Sequence, residues 1–125
     1  METAYYDYIP YDTGLIAALI VDGVPTGYAA SLSSMISRLE TLLKLAGGRD
    51  HSGRHWTYQS YEGLSAYFPA MSVRTVKRVV AVGVDKGYIL KQRRQRENEY
   101  ALDYRRLIEL FEYCNIPTPH MTFAS

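Results

Sequence analysis

Several features that would place the chain in a special class of protein are scarce or missing. Cys114 is the single cysteine in 125 residues, which excludes an internal disulfide and a zinc site built from several cysteines. No apolar run approaches the roughly 18 residues needed to span a bilayer, and the first residues lack the basic and apolar regions of a secretion signal. These absences predict a cytoplasmic protein without a membrane-spanning segment.

The composition that remains is that of an ordinary globular protein. Hydrophobic residues make up 47% of the chain and charged residues 22%, values that argue against disorder of the whole chain. A chain of 125 residues buries one hydrophobic core without help from metals or disulfides. We therefore expect a single domain over residues 1–125.

Positive charge is concentrated in one stretch of a chain whose net charge is only +1. Residues 1–25 hold four acidic side chains and no lysine or arginine, whereas residues 74–96 hold eight basic side chains and one acidic one, Asp85. Such segregation is the electrostatic footprint expected of contact with a phosphate backbone. An ordinary solvated surface gives the same composition, so the elements that carry the charges decide between the two.

The first 46 residues predict an arm followed by two helices. Residues 1–11 surround Pro10 with tyrosines and predict an extended N-terminal arm, used for core packing or for self-association. These tyrosines are Tyr5, Tyr6, Tyr8 and Tyr11. Residues 12–46 carry two apolar patterns of helical spacing, one after Asp12 and one from Tyr28 to Ala46. A homodimer formed through the arm and these helices would address two DNA half-sites.

Residues 56–87 predict a short strand and two helices separated by a tight turn. Ser60 is a good N-cap for the first helix, which Pro69 ends, and Ser72 is a good N-cap for the second, which Gly87 ends. The apolar stripe expected on the second helix consists of Val73, Val76, Val80 and Val84.

The opposite face of the second helix carries cations near its N-terminal end. Arg74, Lys77 and Arg78 lie in the first turns, where the helix macrodipole disfavours positive charge. An external anion would offset that cost. The placement therefore favours a nucleic-acid contact over a solvated helix face.

Residues 88–114 predict a hairpin with a basic tip and a last helix. Strands at 88–92 and 99–102 are joined by residues 93–98, which include Arg93, Arg94 and Arg96. Asp103 is a suitable N-cap for a C-terminal helix over residues 103–114.

The order of these elements predicts an α+β, mainly α fold: a winged helix-turn-helix over residues 54–104, with extra N-terminal helices and a C-terminal helix. In that fold the second helix of the turn pair enters the major groove, and the hairpin wing contacts the backbone or minor groove. The predicted DNA-binding residues are Ser72, Arg74, Thr75, Lys77, Arg78, Arg93, Arg94 and Arg96. Arg74 and Arg78, one helical turn apart, would reach adjacent bases or a base and a phosphate. Ser72, Thr75 and Lys77 would serve mainly as phosphate anchors.

The stretch HWTYQSYEGLSAYFPAMSVRTVKRVVAVGVDKGYIL, with ENEYALDY after the wing, resembles the winged-helix N-terminal domain of phage and plasmid replication initiators, or replisome organisers. The resemblance covers residues 54–104 and implies DNA binding in replication initiation. Where that family usually has a leucine in the middle of the recognition helix, this chain has the segment Val82-Gly83-Val84. A solvent-exposed glycine there would cost about 1 kcal/mol relative to alanine and would favour a bend.

Enzymatic chemistry has little support in the sequence. His51 and His55 lie in a glycine-flanked loop, where a metal pair is one interpretation and contact with phosphate or solvent is another. His120 lies six residues from Cys114, but without a base, oxyanion donors or a nucleophile turn the pair lacks the arrangement that a cysteine hydrolase requires. We predict no catalytic residues, no metal site, no cofactor and no small-molecule substrate.

Two functional hypotheses follow from the sequence. The first is a non-catalytic double-stranded DNA-binding protein of phage or plasmid type, acting in replication initiation or transcriptional regulation. The second is a protein–protein interaction module, a phage-encoded adaptor or inhibitor whose winged helix or N-terminal helices dock on a partner. Its basic face would then meet an acidic surface that mimics DNA.

Overall fold

The computed structural model describes residues 13–45 and 54–115 in full, and the backbone of residues 49–51. The helices are α1 (Thr13–Val21), α2 (Thr26–Lys44), α3 (Tyr61–Ser65), α4 (Val73–Asp85) and α5 (Tyr104–Tyr113). The strands are β1 (Arg49–His51), β2 (Arg54–Tyr58), β3 (Ile89–Arg94) and β4 (Glu97–Leu102). The predicted N-terminal arm at 1–11 lies outside the described residues.

Helix α2 packs against α1, α4, β2 and β4. Its stripe of Leu32, Met35, Ile36 and Leu39 is fully buried, as the helical spacing predicts. The helix begins at Thr26, two residues before the predicted start at Tyr28. One hydrophobic cluster joins residues of all five helices to those of β3 and β4.

Helices α3 and α4 are joined by a turn that hydroxyl groups hold in place. Ser60 Oγ accepts a hydrogen bond from the Gly63 amide at 2.9 Å, and Ser72 Oγ accepts one from the Thr75 amide at 3.1 Å. Ser65 Oγ donates to the Met71 carbonyl at 3.0 Å across the turn. Both predicted N-caps are confirmed, and they fix where α4 starts.

The buried face of α4 differs from the predicted valine stripe. The buried residues are Val76, Val79, Val80 and Gly83, whereas Val84 is 37% exposed. A Cβ atom on Gly83 would lie 2.5 Å from Ile89 Cδ1 and 3.0 Å from Leu32 Cδ1. Gly83 is therefore a close-packing site and not the exposed defect that the sequence suggested. The helix runs without interruption from Val73 to Asp85.

The strands form an antiparallel sheet in the order β1-β2-β4-β3. Strand β1 lies in the segment predicted as a loop, and it pairs with β2. In the β3–β4 hairpin, Arg94 pairs with Glu97, so Gln95 and Arg96 alone form the turn. The predicted connection over 93–98 is thus too long. The φ angles of Gln95 and Arg96 are 52° and 70°, both in the left-handed region.

The arrangement is a winged helix-turn-helix. Helices α3 and α4 form the turn pair, the β3–β4 hairpin forms the wing, α1 and α2 precede them, and α5 follows. The fold class is therefore α+β, mainly α, as predicted. In the part of the chain that the structure describes, no helix is both long and apolar enough to cross a membrane.

A polar cluster around Asp22 ties three parts of the fold together. The Asp22 carboxylate accepts hydrogen bonds from the Tyr88 hydroxyl and the Arg106 guanidinium, and Lys86 Nζ lies 3.9 Å away. Arg106 Nε also donates to the Lys86 carbonyl at 3.2 Å. Burial raises the pKa of Asp22, but these hydrogen bonds and positive charges outweigh it and hold the pKa below its usual value. The end of α1, the α4–β3 connection and α5 meet at this cluster.

Candidate nucleic-acid interface

The free face of α4 presents the cations that the sequence assigned to it. Arg74, Lys77 and Arg78 are exposed, and Thr75 is half-buried beside them. Ser72 Oγ donates to Thr75 Oγ1 at 3.1 Å, so the two hydroxyls lie together at the start of the helix. Arg74 and Arg78 are one helical turn apart and lie on the same face. Five predicted contact residues are thus brought to one end of α4.

The wing presents the other three predicted contact residues. Arg93, Arg94 and Arg96 are all exposed. Because side chains alternate along a strand, Arg93 shares the sheet face of Lys91 and Ile89, the face that meets Gly83 of α4. Arg94 lies on the opposite face, and Arg96 is in the turn. The tip of the hairpin is therefore positive on both faces.

Salt bridges distinguish Arg106 from the arginines of the helix and the wing, although Glu97 lies opposite Arg94 in the hairpin. Among the described residues, no salt bridge involves Arg74, Arg78, Arg93, Arg94 or Arg96. Arg106, by contrast, is bound to Asp22 and forms part of the fold. Exposed, unpaired guanidinium groups create a positive potential that attracts an anionic polymer.

Tyr61 brings the basic residues of the helix and the wing together. Lys77 Nζ lies 5.4 Å from the centre of the Tyr61 ring, and Lys91 Nζ lies 5.3 Å from it. Lys91 Nζ also donates to the Tyr61 hydroxyl at 2.7 Å. Partial burial raises the pKa of Tyr61, but the hydrogen bond from Lys91 and the charges of both lysines outweigh it, so the pKa is lowered. The free face of α4 therefore adjoins β3.

Tyr61 and Lys91 were not among the predicted contact residues. In the sequence, Tyr61 is an aromatic residue directly after the N-cap Ser60, and Lys91 is one of the eight basic residues of the stretch 74–96. The signal available was the alternation of Lys91 and Arg93 along β3, which places both on the face toward α4. Their contact with Tyr61 joins residues 30 positions apart, and local pattern cannot reveal it.

The described residues offer little for metal binding. No three histidine, cysteine, aspartate or glutamate side chains among them are grouped so as to hold a metal ion. His55 lies on β2 and is exposed, and Cys114 is half-buried at the end of α5. The side chain of His51 and all of His120 lie outside the described residues.

Comparisons with family models, with curated proteins and with solved structures gave no match for this chain. The resemblance of residues 54–104 to replication initiators is therefore a hypothesis that rests on the residues quoted for it.

Proposed function

We propose that this protein is a non-catalytic, double-stranded DNA-binding winged-helix protein. The observation that carries the proposal is the set of exposed, unpaired arginines on the free face of α4 and on the β3–β4 hairpin, two elements that Lys77 and Lys91 join at Tyr61. Their charge matches a phosphate backbone, and their elements are those that winged-helix proteins use to bind it.

In the proposed complex, α4 lies in the major groove with its N-terminal end nearest the bases. Arg74 and Arg78 reach base edges, where an arginine recognises guanine through two hydrogen bonds. Ser72, Thr75 and Lys77 contact phosphates and fix the position of the helix. The wing arginines Arg93, Arg94 and Arg96 lie along the neighbouring backbone or minor groove.

The biological role that we propose follows from the resemblance of residues 54–104 to phage and plasmid replication initiators. The protein would act in the cytoplasm, in replication initiation or in transcriptional regulation. A homodimer formed through the N-terminal arm and helices would present two copies of α4 to two half-sites. The proposed activity requires no cofactor, metal or small-molecule substrate.

Fluorescence anisotropy with labelled duplexes at several salt concentrations tests the proposal. We expect the logarithm of the binding constant to fall linearly with the logarithm of the salt concentration. Arg94→Ala should weaken binding to all sequences and reduce that slope by about one unit, whereas Arg74→Ala should also change sequence preference.

Arg105→Ala is the matched control, because Arg105 is an exposed arginine on α5, outside both proposed elements. It should leave the slope unchanged. An equal loss for every sequence in the Arg74 and Arg94 variants would refute the division of roles. Absence of duplex binding at low salt would refute the proposal and favour the protein-interaction module.

A further inference from the structure

A cleft of about 260 Å³ separates the free face of α4 from strand β3. It is lined by Tyr61, Lys77, Val80, Ala81, Val84, Asp85 and Lys91. Five of these residues belong to α4 and follow its length at helical spacing, and the other two come from α3 and β3. The cleft therefore lies where the proposed recognition helix and the wing adjoin.

One end of the cleft is cationic. The ammonium groups of Lys77 and Lys91 both approach the Tyr61 ring, and among the described residues neither forms a salt bridge with a carboxylate. Asp85 also lines the cleft, but it lies two turns beyond Lys77, about 12 Å along the helix axis. Two ammonium groups beside one ring without a carboxylate counterion repel each other, and an anion that contacts both would offset that repulsion.

The remainder of the cleft wall is largely apolar. Val80 is buried, whereas Ala81 and Val84 are exposed. Together these three small side chains form an apolar wall without hydrogen-bonding groups. The exposure of Val84 is the departure from the predicted valine stripe described above. An apolar wall next to a cationic end is complementary to a deoxyribose and the phosphate attached to it.

We propose that this cleft holds one sugar–phosphate unit of the DNA backbone, with the phosphate between Lys77 and Lys91 and the sugar against Ala81 and Val84. Tyr61 is the positioning residue, because its hydroxyl holds the ammonium group of Lys91. This inference rests on the proposed function and deepens it. It assigns the lysines of two different elements to the same phosphate.

The salt dependence of duplex binding by Lys77→Met, Lys91→Met and the double variant tests the shared phosphate. Loss of one neutralised phosphate lowers the slope by about 0.9, so the double variant should lose about 0.9 in total. Two separate phosphates would give about twice that loss, and this result would overturn the inference. Arg105→Met is the charge-matched control and should keep the wild-type slope. Both lysines are exposed, so thermal unfolding should show that each variant folds.

Tyr61→Phe and Ala81→Leu test the other two parts of the cleft. Tyr61→Phe keeps the ring and all charges, so it should weaken duplex binding several-fold without the loss of slope seen in the double lysine variant. Ala81→Leu fills the sugar position with a good helix former and should weaken binding at an unchanged slope. Wild-type affinity in either variant would overturn the role assigned to that residue.

A further comparison separates the DNA backbone from free phosphate as the source of the anion. A duplex should shift the Tyr61 ring resonances at a concentration at which inorganic phosphate does not, and an equal response to both would overturn the assignment to DNA. Failure of the wild-type protein to bind any duplex would refute the proposed function together with this inference. Steep salt-dependent binding by the wild type, with an unchanged slope in the double variant, would refute the inference alone.

Discussion

At Gly83, helix propensity favours alanine, whereas the packing around the residue favours glycine. Helix propensity favours alanine over glycine by about 1 kcal/mol, but an added methyl group would lie 2.5 Å from Ile89 Cδ1 and 3.0 Å from Leu32 Cδ1, so both side chains would have to shift. Overpacking of a buried site costs about 1–3 kcal/mol. We expect Gly83→Ala to lower the free energy of unfolding by about 1 kcal/mol, measured by urea denaturation.

Gly27→Ala is the matched control for that substitution. Gly27 also lies in a helix, in the first turn of α2, and a Cβ atom there would meet nothing within 4 Å. It should therefore be neutral or raise the free energy of unfolding by up to about 1 kcal/mol. Stabilisation by both substitutions would show that Gly83 is not tightly packed.

Asp22 makes a contribution to stability that depends on pH. Because its pKa is lowered in the folded state, the contribution is complete above the unfolded pKa of about 3.8 and is lost as the pH falls through the folded pKa. At pH 7 we expect Asp22→Asn to lower the free energy of unfolding by about 1–2 kcal/mol, as hydrogen bonds to a charged group are lost.

The difference between the wild type and Asp22→Asn should shrink in urea denaturation at pH 3, below the unfolded pKa of the carboxyl group, because unfolding of the wild type then takes up a proton. A difference of the same size at both pH values would mean that the carboxylate charge is not what holds Tyr88 and Arg106.

At the scale of the elements, the wing turn combines an unfavourable left-handed backbone conformation with a positively charged residue, Arg96. Two-residue hairpin turns with positive φ at both positions favour Asn-Gly, yet Gln95 and Arg96 occupy them here. A left-handed conformation costs an ordinary residue about 1 kcal/mol or more. We expect the double substitution Gln95→Asn and Arg96→Gly to raise the free energy of unfolding by roughly 1 kcal/mol and to weaken DNA binding.

Arg96→Gln separates these two effects, because it removes the charge and keeps a long side chain in the turn. It should weaken DNA binding to a similar degree without the gain in stability. Undiminished binding by both variants would contradict a role of Arg96 at the interface.

The sequence was most informative where structure is decided by neighbouring residues. Ser60, Ser72 and Asp103 accept the amide hydrogen bonds expected of N-caps, because a cap depends only on the residues two or three positions ahead. Strand β1 was missed because its polar sequence, RDH, has no strand pattern, and β-pairing is decided by the partner strand. The length of the wing turn was misjudged because Gln95 and Arg96 carry none of the usual turn signals.

At the scale of the whole molecule, the sequence does not show which surfaces of the helices and strands pack against each other. The exposed side of α4 was predicted correctly for Arg74, Lys77 and Arg78, since it follows from helical periodicity. The inward side was predicted only in part: Val79 and Gly83 are buried together with Val76 and Val80, and Gly83 is where the helix approaches Ile89 and Leu32 most closely. The approach of Lys77 to Lys91 through Tyr61 likewise depends on how the hairpin packs beside the helix.

The most direct test of the account is to map which surface a duplex contacts. In amide chemical-shift mapping with a labelled protein and a mixed-sequence duplex, we expect the largest changes at residues 72–81 of α4 and 91–97 of the wing, with α1 and α5 little affected. Changes concentrated on α1 or α5, or no change at low salt, would contradict the proposal that α4 and the β3–β4 hairpin form a DNA-binding surface.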